Sequence, residues 1–505
     1  MDHRQASEIL RGITVDGTIP ATAQETATAC ARLLFDDCRK SGFDPELTSY
    51  RLICRLATST DPNLSTVATG EFYRQVIEPL CDDFSRAGTE QAHRLLAGML
   101  SYLAGMDRGE KLAEALYRAG LADPSLMLER WHRDVSPACS PPQTVLNRLE
   151  KILIPSRVTA GADVAITSVL IDRLRRLLPG VEIVLVGPTH LAELFSGLPG
   201  VRHLPFTMPR HGALAKRLLY WPSLLQTTAA EIAGVRTESV MVLDPDSRLT
   251  QLGLLPLASG IETCQFPSQT LAEDDNGSHF SLSHLANRWL DELLGETPPS
   301  YPFISPTPTA RQAAAAFCAR LRNQGARRLL LVNFGVGGDS RKNLSSEFEE
   351  QLLHRLLERE KTIIILDTGC GSEEKSRAEK LLGRLNGIRT TCLNWQTPEA
   401  ATFDHGLLGL CTSLGELAAV CGEVDGYLGY DSCGQHLANA AGIPAVTVFT
   451  GHPHSRFLDR WSPWSRRNLT TVIPVELDPA GLAPLTALID RALLALNHLI
   501  GQRQN

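Results

Sequence analysis

The stretch "DGYLGYDSCGQHLANAAGIPAVTVFTG", residues 425–451, decides how this chain folds. DGYLGY is a short apolar run, GQHLANAAG is Ala-rich and helix-forming, and PAVTVFTG is a second apolar run with β-branched residues. A strand, a helix and a strand in succession make a βαβ unit, and hence a parallel sheet. Between the first strand and the helix stand Asp431, Ser432, Cys433 and Gly434, with His436 one turn further on. The amides at a helix N-terminus are unpaired donors with partial positive charge, so a phosphate is a natural guest there. The competing reading is structural: Asp431 caps the helix and His436 packs against the sheet.

The same alternation extends upstream. "RRLLLVNFGVGG" predicts a strand, followed by a helix near 346–359, the strand "KTIIILDTG", the helix "EEKSRAEKLLGRL", the short strand "RTTCLNW" and the helix "LGELAAVCGEV". The first turn of this series, "NFGVGGDSRKNL", repeats the phosphate logic. Gly335, Gly337 and Gly338 let backbone approach a ligand, and Lys342 supplies a cation. It has neither the GK[ST] ending of a P-loop nor the full spacing of a dinucleotide fingerprint.

A second α/β series begins at Lys151. "KILIPSR" and "VEIVLVGP" flank the amphipathic "DVAITSVLIDRLRRLLPG", and strands are expected again at "SVMVLDPD" and "GIETCQF". Asp163 falls at the first strand-to-helix turn, on the expected cleft edge. There it serves either as a general base or as a carboxylate favoured by the helix dipole. "VLDPDSRLTQLGLLP" places Asp244 and Asp246 at a strand end with Arg248 behind them. The spacing invites a divalent cation, but the preferred reading is a polar cleft-edge turn whose Arg248 and Asp246 meet the acceptor.

Residues 295–310, with five prolines, read as a semi-rigid linker between the two series. Two doubly wound domains so joined would enclose a cleft at the carboxyl ends of their sheets, where ligands of such folds bind. Before Lys151 the periodicity is helical. Phe72, Val76, Ile77 and Leu80 share one face, a helix after an N-cap at Thr89 carries Leu95, Leu96, Met99, Leu100 and Leu103, and Gly120 ends "KLAEALYRAGL". The fold class expected is α/β, two Rossmann-like domains at 150–300 and 310–505, preceded by an all-α domain at 1–145 that ends in the linker "DVSPACSPPQ".

Composition narrows the function. The chain has 505 residues, 43% hydrophobic and 21% charged, and a net charge of -7, so it carries no general electrostatic footprint for nucleic acid. Twelve cysteines without a C-x-x-C pair read as reduced, mostly buried side chains, and no metal is expected. The N-terminus does not read as a signal peptide and no apolar run is long enough for a bilayer, which predicts a cytoplasmic protein. "MPRHGALAKRLLYW", residues 208–221, mixes basic and aromatic residues. It reads as a solvated loop and helix face, with peripheral contact to the inner face of the membrane as the alternative.

Taken together, these residues resemble glycosyltransferase family 9, the ADP-heptose heptosyltransferases of lipopolysaccharide synthesis, from about Lys151 to the C-terminus. The family reads D-[ST]-G-x-x-H-x-A-x-A-x-G-x-P, a strand and then Trp-x-Pro. Here Asp431, Ser432 and His436 match, followed by Ala438, Ala440, Gly442, Pro444, Trp461 and Pro463. The resemblance implies a GT-B architecture and inverting, metal-independent sugar transfer from a nucleotide diphosphate sugar, ADP-heptose being the family's donor. It implies Asp163 as catalytic base, and donor binding by Gly337, Gly338, Lys342, Glu373, Asp431, Ser432, Cys433, Gly434 and His436. A glycan, glycolipid or protein would be the acceptor, and no cofactor beyond the nucleotide sugar is implied. Two positions depart from the pattern: Cys433 replaces a glycine, with Gly434 one place later, and Ala162 stands before the Asp. A non-glycine residue held left-handed at 433 would cost roughly 1 kcal/mol or more and reshape the turn. The helical domain has no counterpart in the family core. It leaves open a non-catalytic nucleotide-sugar-binding or scaffold protein with a partner-binding module.

Overall fold

The computed structural model describes residues 1–12, 23–269, 280–369, 371–394, 403–475 and 485–504. The first sheet has five strands: β1 (Lys151–Pro155), β2 (Glu182–Gly187), β3 (Val201–Pro205), β4 (Val240–Asp244) and β5 (Glu262–Gln265). They lie parallel in the order β3-β2-β1-β4-β5. The second sheet has seven: β6 (Arg328–Asn333), β7 (Thr362–Asp367), β8 (Ile388–Thr390), β9 (Gly406–Leu410), β10 (Gly426–Tyr430), β11 (Ala445–Phe449) and β12 (Thr470–Pro474). Its order is β12-β11-β10-β6-β7-β9-β8, again parallel. The stretch at 425–451 supplies β10, the helix Cys433–Ala441 and β11, as its pattern predicts.

Three strands escaped the sequence reading. β3 and β12 are only partly buried edge strands without a continuous apolar run. In β9, two glycines among five residues dilute the strand propensity.

The helical region forms as its periodicity predicts, with two corrections. Phe72, Val76, Ile77 and Leu80 share a face because the helix Pro62–Phe72 runs on through a π-helical turn, Tyr73–Ile77, to Asp82. The helix Arg86–Ala104 is capped by Ser85, whose Oγ accepts from Gly88 N at 3.0 Å; Thr89 lies inside it and hydrogen-bonds back to Ser85. Gly120, with φ of 70°, ends the next helix as expected.

The second correction concerns autonomy. Ile53, Leu96 and Met127 belong to one continuous apolar core with Leu153, Val184 and Val242 of the first sheet. Polar links run across the same junction: Arg130 donates to the Gly253 carbonyl at 2.5 Å, and the His93 ring meets the Leu252 carbonyl at 2.8 Å. The Pro/Ser-rich segment after it is pinned too, Cys139 Sγ lying 3.2 Å from the Thr263 carbonyl.

The proline-rich 295–310 segment is likewise held down. Phe303 N donates to Ser168 Oγ at 3.2 Å and Ser305 N to the Leu194 carbonyl at 2.7 Å, and a helix capped by Thr307 already begins at Pro308. Prolines fix the chain's extension, and these bonds fix its course over the first Rossmann domain.

Candidate functional site

A cleft of about 1180 Å³ opens where the helical region and both Rossmann domains meet. Asn333 and Asp367, at the carboxyl ends of β6 and β7, and the turn after β10 line its C-terminal wall. The strand order reverses beside β6, since β7 lies on one side of it and β10 on the other. This is the switch point at which open α/β sheets take their ligands.

Within that wall Gly337, Lys342, Asp431, Ser432, Cys433, Gly434 and His436, all named from sequence, converge, while Gly338 stands just behind the lining. Gly337 and Gly338 have φ of 63° and 94°, a left-handed backbone that glycine adopts without strain. The loop they form carries Lys342 to Asp431, where ammonium and carboxylate pair. Asp431 is only 4% exposed, and its other oxygen accepts from Gln435 Nε2 at 2.7 Å. Ser432 caps the helix, accepting from Gly434 N at 3.3 Å and donating to Asn333 Oδ1 at 3.2 Å. Gly434 is required by packing, because a Cβ there would stand 2.5 Å from Tyr427 Oη.

Cys433 resolves the departure noted above. It is the first residue of the helix and its φ is not positive, so the strain expected at this position does not arise. Burial pushes its thiol up to about 12, which keeps it protonated. His436 lines the cleft one turn further on, with its ring 6.0 Å from that of Trp461. Burial, opposed by Asp431 and reinforced by Lys342, pushes His436 down to about 4, so it is neutral at pH 7 and can donate one N–H.

The carboxylate at the cleft is not the one expected from sequence but its neighbour. Glu373 is exposed on the outer face of the helix Ser372–Arg384, away from the cleft, and Glu374 lines the cleft instead. One residue along a helix rotates a side chain by about 100°.

The opposite wall is the loop after β1. Val158, a β-branched residue, has φ of 75°, a strained conformation costing on the order of 1–3 kcal/mol. It is held by Val158 N on Ser156 Oγ at 2.8 Å and by the Arg157 guanidinium on the Pro245 carbonyl at 2.6 Å. The bend turns Thr159, Ala160, Gly161 and Ala162 into the cleft, against the helix beginning at Cys433.

Asp163 lies beneath this loop and not on the cleft edge. It is 0% exposed. Oδ1 accepts from Arg157 N at 2.9 Å and Thr167 Oγ1 at 2.8 Å; Oδ2 accepts from Ser156 Oγ at 2.5 Å and meets His190 Nε2 at 2.7 Å. His190, not singled out in the sequence, lines the cleft in its place. It was missed because it sits 27 residues away on a different strand-to-helix turn.

The acceptor-side candidates do not reach the cleft either. Asp246 is 4% exposed and held by Ser268 Oγ at 2.5 Å and Arg157 at 3.5 Å. Asp244 accepts from Ser247 N at 2.7 Å and Thr250 Oγ1 at 2.5 Å, and burial raises it to about 6. Arg248 points toward the helical region, where Glu78, Cys81 and Asp82 outweigh the effect of burial and hold its pKa above the ordinary value. In 208–221, Trp221 is fully buried, donating to the Pro256 carbonyl at 2.9 Å, and Tyr220 is buried, so neither is a membrane anchor; Arg210 lines the cleft. Among the described residues no helix is long and apolar enough to cross a membrane.

The helical region contributes the cleft's remaining wall, including Phe35, Arg39, Glu78 and Asp82. Burial raises Asp82 to about 7. Arg456 of the C-terminal domain donates to the carbonyls of Asp83 and Phe84, both at 3.1 Å, which ties this wall to the opposite domain.

Fold and cleft together define the class: two Rossmann-like domains facing each other across a cleft, the GT-B arrangement. The particular resemblance is to glycosyltransferase family 9 (heptosyltransferase), whose model matches residues 351–476. A family 9 glycosyl transferase from Veillonella parvula DSM 2008 superposes with a TM-score of 0.51 at 15% identity, over 70% of this chain and 98% of that one. The E. coli ADP-heptose LPS heptosyltransferase II gives a TM-score of 0.49 at 16% identity, over 70% of this chain and 100% of its own. No curated protein matches the chain significantly.

Proposed function

We propose that this protein transfers a sugar from a nucleotide diphosphate sugar to an acceptor hydroxyl, with inversion and without a metal. One observation carries the reading: Lys342, the glycine loop and the amides at the start of the helix Cys433–Ala441 converge on one cleft at the switch point of the second sheet. As the sugar leaves, negative charge grows on the diphosphate, and oriented donors fixed beforehand stabilise it. His436, neutral, adds an N–H to the same place. Glu374, which lines the cleft where Glu373 does not, is suited to a ribose hydroxyl of the donor. ADP-heptose is the donor to test first, because the matched family is one of heptosyltransferases.

The acceptor enters from the side of the helical region, between Arg39, Glu78 and Arg210, which leaves room for a glycan, a lipid-linked saccharide or a protein segment. Arg248 and Asp246 are not part of that path. A non-catalytic nucleotide-sugar-binding protein is the competing reading, favoured by one fact: Asp163 has no face open to an acceptor.

The test is a thermal-shift screen against ADP-, GDP-, UDP- and dTDP-sugars, followed by a donor-hydrolysis assay. A ligand that binds only the folded state raises its stability. Stabilisation with turnover supports transfer, and stabilisation without turnover supports the sensor. A chain that no nucleotide sugar stabilises sinks both.

A further inference from the structure

We infer that His190 takes the proton from the attacking hydroxyl, and that Asp163 acts through it as a positioning carboxylate. This rests on the glycosyl-transfer reading above and assigns its base.

The argument begins with the capacity of Asp163. A carboxylate offers about four lone-pair directions. Arg157 N, Thr167 Oγ1, Ser156 Oγ and His190 Nε2 occupy them, all within 2.9 Å, and the side chain is fully buried. No acceptor hydroxyl can reach it without breaking one of these bonds.

His190 is the one partner that also borders the cleft. Its side chain is 16% exposed, and it opens the helix His190–Phe195 on the loop after β2. Because Asp163 accepts, His190 Nε2 carries the hydrogen, and in a neutral imidazole Nδ1 then carries the lone pair. Among the described residues no hydrogen bond to Nδ1 is formed. The bond to Asp163 thus sets the tautomer that makes the other nitrogen a base, and the buried carboxylate stabilises the imidazolium once it forms.

The step balances. The acceptor oxygen bonds to the anomeric carbon as the bond from that carbon to the diphosphate oxygen breaks, and the diphosphate keeps the electron pair. The acceptor proton moves to His190 Nδ1 and passes to solvent when product leaves. Water can replace the acceptor, so donor hydrolysis reads the same base without knowledge of the natural acceptor.

The experiment measures hydrolysis of the nucleotide sugar selected by the screen above, with ADP binding by calorimetry as a separate readout. His190→Gln keeps an amide donor for Asp163, which protects the buried carboxylate. It is expected to lower kcat by about 10² or more with ADP affinity within threefold of wild type. Asp163→Asn is expected to lower kcat similarly without raising the donor KM, and the double variant to be no worse than either single one. Imidazole added to His190→Ala is expected to restore part of the rate. Hydrolysis by His190→Gln within threefold of wild type overturns the assignment, as does a double variant whose losses multiply. If His190→Gln does not fold, the imidazole series on His190→Ala decides, and no rescue there counts against the base. Failure of the wild type to turn over any nucleotide sugar refutes the underlying function, and is seen before any variant is made.

Discussion

Gly161 lies against His436 across the boundary between the two Rossmann domains: a methyl group at 161 would stand 3.0 Å from His436 Cδ2 and 3.3 Å from Cys433 Cα. The loop that covers Asp163 therefore touches the helix that carries His436 into the cleft. The two walls of the cleft meet at this point with no spare space. Gly161→Ala forces a shift of a few tenths of an ångström, and Gly161→Val forces more. Since a misplacement near 1 Å can cost about 10² in rate, the valine variant is expected to lose at least tenfold in kcat. Steady-state hydrolysis checks this, and full activity in Gly161→Val would mean that the two walls do not need this contact.

Lys342 pairs with a carboxylate that is nearly fully buried. Charge-assisted bonds of this kind contribute about 1.5–3 kcal/mol. Lys342→Ala is expected to weaken ADP binding by roughly 10- to 100-fold. Calorimetry measures it, and an unaltered ADP affinity removes Lys342 from the phosphate site.

Glu373 and Glu374 separate by helical phase. Glu374 lines the cleft beside Gly335 and Gly369, whereas Glu373 faces solvent. Glu374→Ala is expected to weaken ADP binding several-fold, and Glu373→Ala to leave it unchanged. The opposite order in paired titrations would restore Glu373 to the nucleotide site.

His436 links the site to pH. Its folded pKa of about 4 lies below the ordinary value of 6.5, so the unfolded chain takes up a proton first as the pH falls. The stability it confers is present above about pH 6.5 and is lost progressively toward pH 4, about 3 kcal/mol if the full shift is expressed. A His436→Gln variant is expected to lose less stability than wild type between pH 7 and pH 4.5 in urea titrations. Parallel losses would show that the buried imidazole does not titrate this way.

Much of the C-terminal wall of the cleft was legible in the sequence because its signals are local. Asp431, Ser432 and His436 lie within six residues, and the strand before them and the helix around them set their directions. Lys342 and the glycine loop sit on the equivalent turn of β6. Glu373 failed for a local reason as well, since a motif counted along the chain is blind to a rotation of about 100° per residue.

Asp163 marks where that reading stops. Its place at a strand-to-helix turn follows from the sequence, but its burial does not. The strained turn at Val158, and donors from Ser156, Thr167 and the distant His190, close over it.

By itself the sequence determined most of the alternating strands and helices, the parallel pairing of the sheets and the turn at 431–436, because each depends on residues near one another in the chain. Only the tertiary structure decided that the helical region shares a core with the first sheet, that Asp246 and Arg248 turn away from the cleft, and that His190 stands between Asp163 and the cleft. Those outcomes depend on which faces meet after folding. Burial and hydrogen-bond satisfaction at such meetings join residues far apart in the chain, and no local pattern encodes them.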